Sequence, residues 1–112
     1  MLAKSNRLVR DNDIERLFAK GKRASCSFCG VRVLRTATKV ARIAVVAPSK
    51  LSKNAVVRNR AKRRAREAVR PLVAKMIPGY DTALILFPAA TKIPLPQMTN
   101  DLRRVFEKMR IL

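Results

Sequence analysis

The sequence predicts an α+β fold in which about three helices pack on a small sheet, and three observations carry that expectation. Apolar residues recur at helical spacing in three separate segments. Between the helical segments lie β-branched and apolar runs bounded by Gly and Pro. With 112 residues, 48% of them hydrophobic, the chain has the length of one domain and enough apolar side chains to form a core. The order helix, strands, helix, strand, helix suits helices layered on one sheet.

The elements follow in turn. Residues 1 to about 10 are read as a basic, flexible arm on a single domain spanning 1–112. "DNDIERLFAKG" is the first helix: Asp11 or Asn12 is expected to cap it, Asp13 and Glu15 suit its positive end, and Gly21 suits its C-terminal stop. Ile14, Leu17 and Phe18 share one face. "SFCGVRVL" and "ARIAVVA" read as strands joined by Thr36 to Lys39, with a third short strand near Lys22 to Ser25. A long helix is expected from about Lys53 to Met76, kinked or restarted at Pro71. "DTALILF" follows the turn signal Pro78-Gly79 as a buried strand. Pro94 and Pro96 introduce a last helix, in which Met98, Leu102, Val105, Phe106 and Met109 are core positions.

The long helix carries the functional signal. In "RNRAKRRAREAVR", residues 58–70, seven of thirteen positions are Arg or Lys. At about 100° per residue, Ala61, Ala65, Ala68, Val69, Leu72 and Met76 form one arc. Asn59, Lys62, Arg63, Arg66 and Arg70 lie on one flank of it, and Arg60 and Arg64 further round. A disordered arm needs no apolar stripe, so this is a docked helix with a polycationic outer face. Glu67 is the single acid in the stretch, and such dense like charge destabilises a helix unless a polyanion neutralises it. The whole chain carries 26 basic and 7 acidic residues, net +19, which points the same way. Arg outnumbers Lys, and its planar fork matches phosphate. No zinc-finger spacing and no leucine heptads are present, so RNA is modestly favoured over DNA.

Other classes are excluded or weakened. The longest apolar runs fall far short of the roughly 20 residues that span a bilayer. The charged start "MLAKSNRLVR" is no signal peptide, so a cytoplasmic protein without a membrane partner is expected. Cys26 and Cys29 form C-x-x-C, but the chain has no other Cys and no His to complete a zinc site. A strand's period of two sets these thiols on opposite faces. His is absent and the carboxylates are scattered, so no catalytic residue and no metal site are expected in this chain.

"RNRAKRRAREAVR", preceded by "SKLSKNAVV", resembles the protein subunit of bacterial ribonuclease P, a family marked by Arg-Asn-Arg running into Lys-Arg and Arg-Glu after an Ala-Val pair. Here these are Arg58, Asn59, Arg60, Lys62, Arg63, Arg66 and Glu67, after Ala55 and Val56. "NRLVRDNDIERLFAKGKR", "RIAVVAPSK" and "DTALILFPAA" resemble the family's other segments in the same order. The resemblance implies a two-layer α/β sandwich with a small mixed sheet and a left-handed crossover. It also implies a protein that joins a catalytic RNA and assists endonucleolytic removal of the 5′ leader from precursor tRNA. The chemistry is then the RNA's, with magnesium. No cofactor on the protein and no protein partner are expected.

By the same resemblance Arg58, Asn59, Arg60, Lys62, Arg63 and Arg66 face the catalytic RNA, with Arg70 joining them from the same flank, while Phe18, Ser49, Lys50 and Lys53 line a cleft for the leader. Two departures stand out. Ile14 and the strand around Val31 to Val33 offer no aromatic where relatives often stack on bases, and Ser52 and Lys53 replace the usual Gly. The alternatives are a small basic structural RNA-binding protein of ribosomal type, and a basic DNA-binding protein.

Overall fold

A computed structural model of the protein describes residues 4–112. In chain order the elements are α1 (Asp11–Lys20), β1 (Lys22–Ser25), β2 (Cys29–Arg35), β3 (Arg42–Val46), α2 (Ala55–Val73), β4 (Tyr80–Leu86) and α3 (Leu95–Lys108). Short 3-10 turns occupy Lys4–Asn6 and Pro88–Thr91. The expected α+β class with three helices on a mixed sheet is what forms. The strand order is β1-β2-β4-β3, with β1–β2 and β2–β4 antiparallel and β3–β4 parallel. Parallel neighbours need a long crossover, and α2 supplies it.

Alternation along the strands divides the core into two faces. Val31, Val33, Ile43, Leu84 and Leu86 point toward α2 and α3, where Ala61, Ala65, Ala68, Val69 and Leu72 meet Met98, Leu102, Val105 and Phe106. The sequence stripe of α2 is therefore its buried face. Ala44 and Ala83 point the other way, toward Leu8 and Leu17, with Ile14, Phe18, Leu34 and Ile85 half-buried around them.

Several local expectations are corrected. The N-cap of α1 is Arg10, in extended conformation, with no side-chain cap. Asp11 is already helical, and Asp13 reaches out to Arg42 at 3.4 Å instead of folding back. Gly21 does follow the helix, but its backbone is extended. Glycine is needed there for space, because a Cβ would lie 2.5 Å from the carbonyl oxygen of Leu17. At Gly79, with φ +94°, the backbone itself requires glycine. At Pro71 α2 neither restarts nor stops, since it runs on to Val73 before two tight turns end it. Pro71 thus sits in the last turn, where a lost hydrogen bond disrupts least.

The N-terminal arm also differs from expectation. Arg7 bridges Ile43 in parallel fashion, and the Leu8 N–H donates to the Ile43 carbonyl at 2.9 Å. Asn6 Nδ2 donates to the Ala41 carbonyl at 2.8 Å, and Leu8 is buried. The apolar Leu8 anchors this stretch along the outer edge of β3, and residues 1–3 of the expected arm lie outside the described residues. Finally, Cys26 and Cys29 do not point apart. Ser27 and Phe28 form the turn between β1 and β2, the Cys26 N–H donates to the Cys29 carbonyl at 2.9 Å, and the two sulfurs lie 3.4 Å apart. The period of two does not carry across a hairpin turn.

Candidate RNA-binding surface

The surface begins at the start of α2. Asn54 is its N-cap and accepts from the Val56 N–H at 2.9 Å, while Ser52 Oγ accepts from the Asn54 N–H. These contacts, with buried Leu51 and its turn back to Pro48, fix the loop between β3 and α2. Because the alanine stripe faces inward, helical geometry turns Asn59, Arg63, Arg66 and Arg70 directly outward, and all four are exposed. Arg60 is exposed on a different flank, about 100° round from Asn59, and Lys62 is half-buried beside the core. At the end of the outer row Arg70 pairs with Glu67 at 3.4 Å, and both side chains are partly open to solvent. Such a pair contributes little.

Two arginines of the stretch are structural to different degrees. Arg58 donates from Nη1 to the Ser52 carbonyl at 2.8 Å, bracing the loop, so only part of its fork faces solvent. Arg64 donates to the carbonyls of Ala90 and Ile93 and reaches Met98 Sδ at 3.7 Å. It straps α2 to the chain entering α3. Its place at the margin of the apolar arc is what sets it apart from the outward row.

A second part of the surface lies on the α1 side of the sheet. In register, Ser25, Gly30, Ile85 and Val46 form one row across all four strands, and Arg23, Arg32, Ala83 and Ala44 the next. Leu17 of α1 packs over the second row, and the first row is left partly or fully exposed. Phe18 ends the covered part. Its ring lies 5.1 Å under the Arg32 guanidinium, whose Nη1 donates to the Phe18 carbonyl at 2.6 Å. At the far end Phe87 is 38% exposed, with its ring over Gly30. At β2 the open row thus has an aromatic to either side, Phe87 over Gly30 and Phe18 beside Arg32, with Arg23 alongside.

Ser49, Lys50 and Lys53 are all exposed in the loop that leaves the β3 end of this same row. They share an end of the sheet with Phe87, whereas Phe18 lies at the row's other border. Sequence reasoning misses Phe87 and Arg32. Phe87 closes an apolar run that reads as strand throughout, but β4 stops at Leu86, and the next position turns to the open face. A groove of about 600 Å³ joins the two parts of the surface. It runs past Val45 and Val46 at the edge of β3, between Arg7 and Val9 on one wall and Arg63 and Arg66 on the other.

Arg42 sits under this surface and serves the fold. It donates to both carboxylate oxygens of Asp81, at 2.8 and 2.7 Å, and also to Asp13 at 3.4 Å. The Asp81 hydrogen bonds hold its guanidinium more firmly protonated than usual. Asp81 is buried, so this bidentate pair neutralises a carboxylate on the α1 side of the sheet, two rows from the open one. Among the described residues, no cluster of three or more His, Cys, Asp or Glu is placed to hold a metal. Nor is any helix among them long and apolar enough to cross a membrane.

Comparison with known proteins identifies the architecture. The family model described as Ribonuclease P matches residues 2–110. A ribonuclease P protein component from Symbiobacterium thermophilum is 36% identical over 112 residues, covering 99% of this chain and 96% of its own. Another from Pseudanabaena sp. is 32% identical over 113 residues, covering 100% and 97%. The Staphylococcus aureus RNase P protein, in a mutant with defective mRNA degradation activity, superposes with a TM-score of 0.83 at 25% identity, covering 97% of this chain and 92% of that one. The Thermotoga maritima RNase P protein has the same fold, with a TM-score of 0.79 at 21% identity over 91% of this chain and 96% of that one. The chain belongs to the ribonuclease P protein family.

Proposed function

We propose that this protein, as the RNA-binding subunit of ribonuclease P, lays the outer row of α2 against the catalytic RNA and holds the 5′ leader of precursor tRNA on the open sheet row. The observation that carries the reading is the outward row Asn59, Arg63, Arg66 and Arg70 on a helix whose opposite face is buried alanine. Such a helix holds the backbone of its arginines at fixed spacing, so binding has only the side chains to order. Arg60, Lys62 and the free side of Arg58 extend that contact. Phe18, Phe87 and Arg32 offer stacking surfaces, and Ser49, Lys50 and Lys53 donate to phosphates near the β3 end. The protein screens phosphate repulsion and positions the leader. The bond is cut by the RNA, with magnesium ions supplying the metal chemistry there. The family match leaves ribosomal-type and duplex-DNA binding without support.

The test is reconstitution with a bacterial ribonuclease P RNA and a labelled precursor tRNA at low magnesium, where RNA alone is slow. Cleavage at the mature 5′ end is expected to need both macromolecules. The variant Arg63→Ala with Arg66→Ala is expected to keep its thermal stability and bind the RNA more weakly. Its log affinity should fall less steeply with log salt, by roughly one slope unit for each phosphate no longer neutralised. Tight RNA binding without stimulated cleavage would overturn the reading.

A further inference from the structure

On the α3 side of the sheet, the β1–β2 turn packs beside that helix and forms a small cavity of about 330 Å³. Cys26 lines it together with Arg104 and Lys108 of α3, and Asp101 lies at its wall, taken up by the hydroxyl of Ser27. Cys29 is fully buried behind Cys26, with its sulfur 3.4 Å away. One thiol therefore faces a solvent-filled, cation-lined cavity while the other stands directly behind it. Nothing in the RNA-binding reading uses either residue.

We propose that Cys26 and Cys29 form a thiol–disulfide exchange site for an acidic low-molecular-weight disulfide, with Cys26 as the attacking thiol and Cys29 as the resolving one. The Cys26 thiolate attacks one sulfur of the small disulfide, and the S–S bond breaks to release one small thiolate, leaving a mixed disulfide on Cys26. The sulfur of Cys29 then attacks Cys26 from behind and expels the second small thiol, which leaves with the Cys29 proton through the cavity. The two protein thiols are oxidised, the small disulfide is reduced to two thiols, and the proton first lost by Cys26 ends on the first of them. Arg104 and Lys108 favour carboxylates on the incoming molecule. The two sulfurs need to close by about 1.4 Å to reach the ~2.05 Å of a disulfide.

The proton distribution suits Cys26 as the attacking thiol, and Cys29 gives up its proton only as it displaces the second small thiol. The hydrogen bond between the two sulfurs, with burial, keeps Cys29 protonated. That hydrogen bond, helped by the backbone N–H groups of Phe28 and Cys29, lowers the Cys26 thiol to about 7 against the opposing effects of burial and Asp101. The same pairing, with burial, pushes the Cys29 thiol up. A lower pKa raises the thiolate fraction but lowers intrinsic nucleophilicity, so at pH 7 Cys26 should react about five- to eightfold faster than an unperturbed thiol.

The full-length protein is incubated with glutathione disulfide, and the products are mapped by intact and peptide mass spectrometry. The wild type is expected to lose two hydrogens, with Cys26 joined to Cys29 and no lasting adduct. Cys29→Ala should stop at a glutathione adduct on Cys26, and Cys26→Ser should give neither product. Circular dichroism checks that each variant is folded. The wild-type products need no variant to interpret. A persistent glutathione adduct on the wild type, or a reaction no faster than that of a free unperturbed thiol, would overturn the proposal.

Discussion

The two faces of the sheet are built to different ends. Under α2 and α3, Phe106, Leu102, Met98, Leu72, Leu84 and Val31 are all essentially inaccessible, and the centre of the sheet there is closed to a ligand. Under α1, a single short helix covers part of the face, and the row Ser25, Gly30, Ile85 and Val46 stays open to different degrees. Hydrophobic burial scales with the apolar area removed from water, so the closed face carries most of the stability. The open face is then released from that duty. This side of the sheet includes an ion pair of half-buried Arg42 with buried Asp81, where an all-apolar layer would have required full cover.

Substitutions can break this contrast. Phe106→Ala on the closed face is expected to have the largest effect, a loss of about 3–5 kcal/mol from an unrelaxed cavity, read as the urea midpoint. Arg42→Ala comes next, at about 3 kcal/mol, because it leaves the Asp81 carboxylate buried without its partner. If Arg42→Ala together with Asp81→Asn regains most of that loss, the cost lies in the orphaned charge and not in missing packing. Phe87→Ala should be the mildest for the fold, below about 1 kcal/mol, since the ring is already partly exposed. The same change is expected to weaken binding of precursor tRNA by about 1–3 kcal/mol while leaving mature tRNA unaffected. Equal weakening of both would show that the open row does not hold the leader.

What the sequence disclosed follows from the range of the interactions involved. The alanine stripe of α2 and the core positions of α3 are periodic within a few residues, so Ala61, Ala65, Leu102 and Phe106 are legible without a structure. The outward basic row is legible as its complement. The Arg42–Asp81 pair spans 39 positions and depends on the β3–β4 register, which no local pattern reveals. The strand period misplaces Cys26 and Cys29 because a turn at Ser27–Phe28 interrupts it. Arg64 cannot be told from its neighbours by composition, as only the arrival of Ala90 and Ile93 gives it partners.

The docking of Arg7 and Leu8 on Ile43 has a consequence for molecules that meet one another. An open sheet has two unpaired rims, each a template onto which another copy can add. On β1 the rim is short and carries Lys22 and Arg23, whose like charges oppose a second copy's rim. On β3 the outer strand is apolar, Ile-Ala-Val-Val, and would invite strand addition during the interval between synthesis and capture by RNA. Arg7 and Leu8 occupy the start of that rim with Leu8 turned inward, so a second copy's strand meets an obstacle at Ile43, while Val45 and Val46 border the groove.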